Sequence, residues 1–198
     1  QRQTALFSAT VPEWVHDTAA KHLTKPMLVA VDTKPEDVPA IDHVAYDVPD
    51  GEKVNVLRQL LDQRGDGQMI VFGRTKHGVK KLAKQLESAG YPIAALQGNL
   101  SQNARDRVME DFRSGKVKIL LATNVAARGL DISAVDQVIN YELPESSELL
   151  THRVGRTGRM GRSGRAITLL TSEDAAKWRQ LERGLGMRIA RQAWRGAT

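Results

Sequence analysis

The run Ile119-Leu120-Leu121-Ala122 is apolar at every position. A strand with one wet face alternates, whereas a strand apolar on both faces belongs in a parallel sheet covered by helices. Comparable short runs recur along the chain, and strands are expected at residues 43–48, 69–72, 93–96, 117–122, 137–141 and 166–170. Helical spacing fills the gaps. Val79, Leu82, Ala83 and Leu86 form one stripe, with Thr75 placed to cap its start and Gly90 to end it. Ser101 precedes Val108, Met109 and Phe112, and Gly115 follows as a stop. Val54, Leu57, Leu60 and Leu61 stripe another helix, and residues 146–154 a further one. Repeated β-α units with right-handed crossovers predict an α/β fold, an open and mostly parallel sheet with helices on both faces. Strand order does not follow from this spacing.

The ends read differently. Residues 3–8 read as a strand, 12–23 as a helix with Pro12 in its first turn, and 27–31 as a strand. Residues 32–40 are charged, interrupted by Pro35 and Pro39, and read as a linker. Residues 1–31 are therefore expected to be the tail of a preceding unit, and 41–186 the main domain. The basic stretch 187–198 is expected to begin another module or to fray. A chain opening on Gln1 reads as part of a longer one.

Composition narrows the partners. There are 29 Lys+Arg against 23 Asp+Glu, a formal net charge of +6, which favours a polyanion without choosing between nucleic acid, nucleotide and membrane surface. With no cysteine, disulfides, thiolate catalysis and cysteine-held zinc are excluded, and a cytoplasmic setting fits. No apolar run approaches the roughly 20 residues of a membrane helix, and no signal-peptide pattern occurs.

The densest charge signal lies between His152 and Arg165. Arg153, Arg156, Arg159, Arg162 and Arg165 recur at three-residue steps, with Gly155, Gly158, Gly161 and Gly164 between them. Like charges this close repel unless an anion meets them, and guanidinium matches phosphate oxygens bidentately. A solvated, disordered tract is one reading. The other is an ordered arginine-lined phosphate site, favoured because structure-forming sequence flanks the tract on both sides.

In open parallel sheets ligands sit beyond the carboxyl ends of the strands. There the chain carries Gly73-Arg74-Thr75, Gln97-Gly98-Asn99, Thr123-Asn124 and Glu142-Leu143-Pro144. Each set alone suits an ordinary turn or cap; together they are donors suited to phosphates. In Arg128-Gly129-Leu130-Asp131, the carboxylate suits ribose hydroxyls or a simple ion pair with Arg128, the commoner outcome.

Three segments carry a family resemblance. His152 to Arg159, Ala122 to Ile132, and Ser8-Ala9-Thr10 resemble motifs VI, V and III of the DEAD-box RNA helicases. Val71-Phe72 with Thr75 resembles motif IV. Gln97 to Gln102 with Arg105 and Phe112-Arg113 resembles the segment that follows it, including a Gln-x-x-Arg element. The matches run in family order from Gln3 to about Thr171, and five in order are specific. Two departures stand out: the family often has His-Gly-Asp where this chain has Gln97-Gly98-Asn99, and Asp in place of Asn124.

The resemblance implies two RecA-like domains, each a three-layer α/β/α unit, of which this chain holds the second and the last motif of the first. It implies ATP-driven separation of RNA duplexes, with ATP and Mg²⁺ held mainly by the first domain. Arg156 and Arg159 would reach the γ-phosphate, and His152 and Arg153 would bond to the first domain's catalytic motifs. Gly129 and Asp131 would face the nucleotide. Arg74, Thr75, Gly98 and Thr123 would hold the RNA backbone without reading sequence, supported by Gln102 and Arg105, while Ser8 and Thr10 would couple hydrolysis to closure. No Gly-x-x-x-x-Gly-Lys-Ser/Thr loop and no Asp-Glu-Ala-Asp occurs, so the chain alone is expected to be inactive. A non-catalytic module that docks RNA or a partner is the rival reading. A DNA-directed relative is disfavoured by the match at residues 128–132 and 152–159.

Overall fold

The computed structural model describes residues 3–8, 13–29, 41–127, 132, 135–158 and 162–196. The chain divides into two compact units, Gln1–Pro35 and Glu36–Thr198. In the first, helix α1 spans Glu13–His22 and buries Val15. Residues 3–8 and 27–29, expected as strands, are irregular. A strand exists only through a ladder with a neighbour, and these segments have none among the described residues. Their apolar side chains are correspondingly exposed, Phe7 at 92% and Met27 at 86%.

In the second unit, strands β1 (Ile41–Asp47), β2 (Met69–Gly73), β3 (Ile93–Leu96), β4 (Ile119–Thr123), β5 (Gln137–Asn140), β6 (Gly164–Leu170) and β7 (Ala190–Ala193) form one sheet. Between them run α2 (Lys53–Asp62), α3 (Lys76–Ser88), α4 (Gln102–Arg113), the short α5 (Asn124–Ala127), α6 (Ser147–Val154) and α7 (Ala175–Leu185). The order is β3-β4-β2-β5-β6-β1-β7, and every pairing is parallel.

Alternation within each strand divides the core between the two faces. Met69 and Val71 pack with Leu57 and Leu61 of α2 and Leu82 and Leu86 of α3. Ile70 and Phe72 turn the other way, toward Met109 and Phe112 of α4. Trp178 of α7 is fully buried, in a cluster with Ala45, Leu150 and Leu170. The helices therefore cover both faces, as the unbroken apolar strands require. Three N-caps fix the crossovers: the hydroxyls of Thr75, Ser101 and Ser146 accept from the amides of Gly78, Ala104 and Leu149 at 3.0, 3.3 and 3.3 Å.

The basic tail contributes a strand. Residues 190–193 pair with β1 as the outermost strand, with Ala190 opposite Val44. Arg191 grips Asp47 at 2.7 Å, and Trp194 stands edge-on to Tyr46 with ring centroids 5.0 Å apart.

Candidate functional site

Parallel strands bring their carboxyl ends to one rim. Gly73 pairs with Thr123 across β2 and β4, and Phe72 with Asn140 across β2 and β5. Beyond them opens a cleft of about 490 Å³ lined by Arg74, Lys76, Gly98, Thr123, Asn124, Pro144, Glu145 and Leu149. Three residues expected to hold an RNA backbone, Arg74, Gly98 and Thr123, thus meet in one cavity. Thr75 is occupied as the cap of α3. Gln102 and Arg105 lie on α4 and are not among the lining residues; the Gln102 amide donates to Asp106 at 2.8 Å. Gly73 admits no side chain, because a Cβ would fall 2.7 Å from Cγ2 of Val79. The loop entering α3 is held close by that contact.

Arg153 is built into its own domain, where it is 2% exposed. Nε donates to Oδ1 of Asn124 at 2.6 Å, and Nη1 donates to Oδ1 of Asn140 at 3.2 Å and to the carbonyl of Glu142 at 2.6 Å. Its Cζ lies 5.0 Å from the centroid of the Phe72 ring. Burial pushes its pKa down to about 10, opposed by the Glu142 and Glu145 carboxylates, so it stays charged at neutral pH. This buried cation ties α6 to α5, β2 and β5. It holds α6 in place within its own domain, while its Nη2 carries no hydrogen bond among the described residues and the residue also lines the pocket described next.

Its neighbours remain accessible. His152 is exposed and Arg156 partly so, and they line a small pocket with Phe72, Asn124, Ala127, Leu149 and Arg153. Two residues, Asn124 and Leu149, belong both to this pocket and to the strand-end cleft. The two sites are back to back.

From His152 to Gly158 the arginine tract is ordered, so the solvated-tract reading fails there. After α6 the Thr157 hydroxyl donates to the carbonyls of Val135 and Asp136 at 2.6 and 3.1 Å. Gly158 follows with φ 65°, where a Cβ would collide with Ile41. Arg165, in β6, faces Asp42 at 3.8 Å. Ser8 is exposed in the first unit. Thr10, Gly129, Asp131 and Arg159 lie outside the described residues.

Asn140 escaped the sequence reading, and Glu142 entered it only as part of a strand-end set. Asn140 is fully buried and passes the contact on, donating through Nδ2 to the Thr168 hydroxyl at 3.1 Å. The available signal was an amide ending the apolar run Val138-Ile139, since a buried polar side chain needs partners.

A model of the helicase conserved C-terminal domain matches residues 52–161. The DEAD-box ATP-dependent RNA helicase CshA of Geobacillus kaustophilus is 41% identical over 183 residues, 92% of this chain and 39% of the relative. RNA helicase CrhR of Synechocystis is 40% identical over 95% of this chain and 38% of its own length. Among solved structures, S. cerevisiae Dbp5 bound to RNA and ADP BeF3 superposes with a TM-score of 0.80 at 30% identity, covering 94% of this chain and 50% of that one. E. coli SrmB bound to RraA gives 0.71 at 34% identity, covering 77% of this chain and 90% of that one. The chain belongs to the DEAD-box RNA helicase family, as its second, C-terminal RecA-like core domain. It spans 39% and 38% of the length of these two curated relatives.

Proposed function

We propose that the chain grips RNA backbone in the strand-end cleft and presents Arg156 and Arg159 to ATP held, with Mg²⁺, by a preceding RecA-like domain of an ATP-dependent RNA helicase. The observation that carries this reading is the shared wall. Asn124 and Leu149 border both the cleft with Arg74 and Thr123 and the pocket with His152 and Arg156. RNA bound on one side therefore bears on the arginines of the other.

The donor set fits a polyphosphate. Arg156 is a permanently charged planar fork on a turn braced by Thr157, and His152 lies beside it in the pocket. ATP supplies the phosphoryl group. Phosphoryl transfer is catalysed by positioning and charge, and an arginine arriving from a second domain contributes about 10³- to 10⁵-fold. Phosphate contact without base readout gives sequence-tolerant binding. The chain has no phosphate loop of its own, so alone it is expected to turn over no ATP.

The test uses the full-length protein. Arg156→Lys and Arg159→Lys should each cut RNA-stimulated ATP turnover far more than nucleotide binding, because lysine keeps the charge but loses the fork. Arg162→Lys and Arg165→Lys should be mild. Equal losses at all four positions would mean a diffuse basic patch and favour the non-catalytic module.

A further inference from the structure

Glu142 touches both sides of the shared wall. Its carboxylate accepts the backbone N–H of Arg74 at 2.7 Å, at the mouth of the RNA-facing cleft. Oε2 also sits 3.4 and 3.5 Å from where Cβ atoms at Gly73 and Gly78 would stand, so it fills the approach to α3. Its own N–H donates to the carbonyl of Phe72 at 3.2 Å. Its carbonyl receives the Arg153 guanidinium at 2.6 Å. One residue thus holds the loop after β2 with its side chain and helix α6 with its main chain.

We infer that Glu142 is a positioning residue that makes the posture of α6, and with it His152 and Arg156, answer to a phosphate arriving at Arg74. The inference rests on the function proposed above. Arg74 lines the cleft, and its N–H is already taken by an anion. A backbone phosphate that uses this donor displaces the carboxylate, and one bound beside it repels the carboxylate. In either case Glu142 shifts. The shift is not absorbed locally, because the Glu142 carbonyl is bonded to a buried guanidinium that also holds Asn124 and Asn140. Packed networks of this kind pass a displacement on as a change of arrangement. The carboxylate thus opposes RNA while enabling the response to it.

That dual role predicts an unusual signature in the full-length protein. With a single-stranded homopolymeric RNA as probe, Glu142→Ala should bind RNA at least as tightly as the parent. Its stimulation ratio, turnover with saturating RNA over turnover without, should fall about tenfold, an ordinary size for coupling between two sites. Glu142→Gln keeps an acceptor oxygen for Arg74 and should retain most of the stimulation. A purely structural role would instead weaken RNA binding and stimulation together, in step with a lower melting temperature, and that result overturns the inference. So does an unchanged stimulation ratio. Should Glu142→Ala not fold, amide exchange of residues 147–154 in the parent protein, followed on adding RNA without nucleotide, decides the matter. A change in protection supports the coupling, and none refutes it. Arg156→Lys is assayed alongside. If it leaves turnover intact, the proposed function fails; if it impairs turnover while Glu142→Ala does not, only the coupling fails.

Discussion

Nε2 of His43 lies 3.1 Å from the hydroxyl of Thr168, a residue 125 positions away in sequence. The same oxygen accepts Nδ2 of Asn140. A run of polar contacts thus leads from Arg153 through Asn140 and Thr168 to an imidazole edge-on to Trp178.

This arrangement sets an acid limit on stability. Burial pushes the His43 pKa down to about 4, with the Asp42 charge opposing. The unfolded chain, with an ordinary histidine near 6.5, binds the proton first, so stability falls as pH drops from about 6.5 to about 4. The full effect is about 3 kcal/mol, at 1.36 kcal/mol for each pH unit between the two values. Urea unfolding of the chain at a series of pH values measures it, and His43→Gln should flatten the slope in that window. An unchanged slope would show that His43 is not the group responsible.

Arg153 and Arg156 should separate cleanly. Arg153→Ala leaves acceptors on Asn124, Asn140 and Glu142 unmet in the core and should cost about 3–5 kcal/mol, the usual result of breaking a buried charged contact. Arg156→Ala should cost under about 1 kcal/mol, as substitutions outside the core usually do. Denaturant midpoints of the two variants give the comparison directly.

At Gly158 the backbone requires φ 65° and the space beside it is filled by Ile41. Gly158→Ala combines a strained backbone with a steric collision, and a loss of about 2 kcal/mol or more is expected. Gly51 is the control, since its φ is 83° but nothing lies within 4 Å of a Cβ there. Gly51→Ala should show the backbone cost alone, so comparing the two melts isolates the collision.

The last strand is anchored by Trp194 rather than by charge. Trp194→Ala loses the edge contact with Tyr46 and the 3.3 Å bond from Nε1 to Gln59, and should cost about 1–3 kcal/mol. The Arg191–Asp47 pair is solvent-exposed on both sides, so Arg191→Ala should cost under about 1 kcal/mol. Equilibrium unfolding with tryptophan emission as the readout distinguishes them.

What was legible in the sequence was what local pattern controls. Leu82 and Leu86 stripe α3 as their spacing requires, and Thr75 and Ser101 cap helices because a short hydroxyl before a helix meets unpaired amides. β7 was not legible: Ala190-Arg191-Gln192-Ala193 has no apolar face, and its extended form comes from the neighbouring β1 edge. Residues 3–8 show the reverse, a strand-like composition with no ladder. At the site, the strand-end donors followed from topology. Burial of Arg153 did not, because its acceptors come from α5, β5 and the segment after β5, which meet it only once the sheet has formed.

The place of β1 in the sheet also constrains the order of assembly. It is the first strand of its unit to be synthesised, yet its neighbours are β6 and β7, and the register sets Ile41 against Gly164. During translation β2 and β3 can both meet β4 early, but β1 must wait for more than half the chain before any partner exists. Joining such distant segments is slow, because a long loop must close before its contacts offset the lost entropy. The half of the sheet built from β3, β4, β2 and β5 is therefore expected to form first on the ribosome, with β1 held unpaired until the chain beyond the arginine tract emerges.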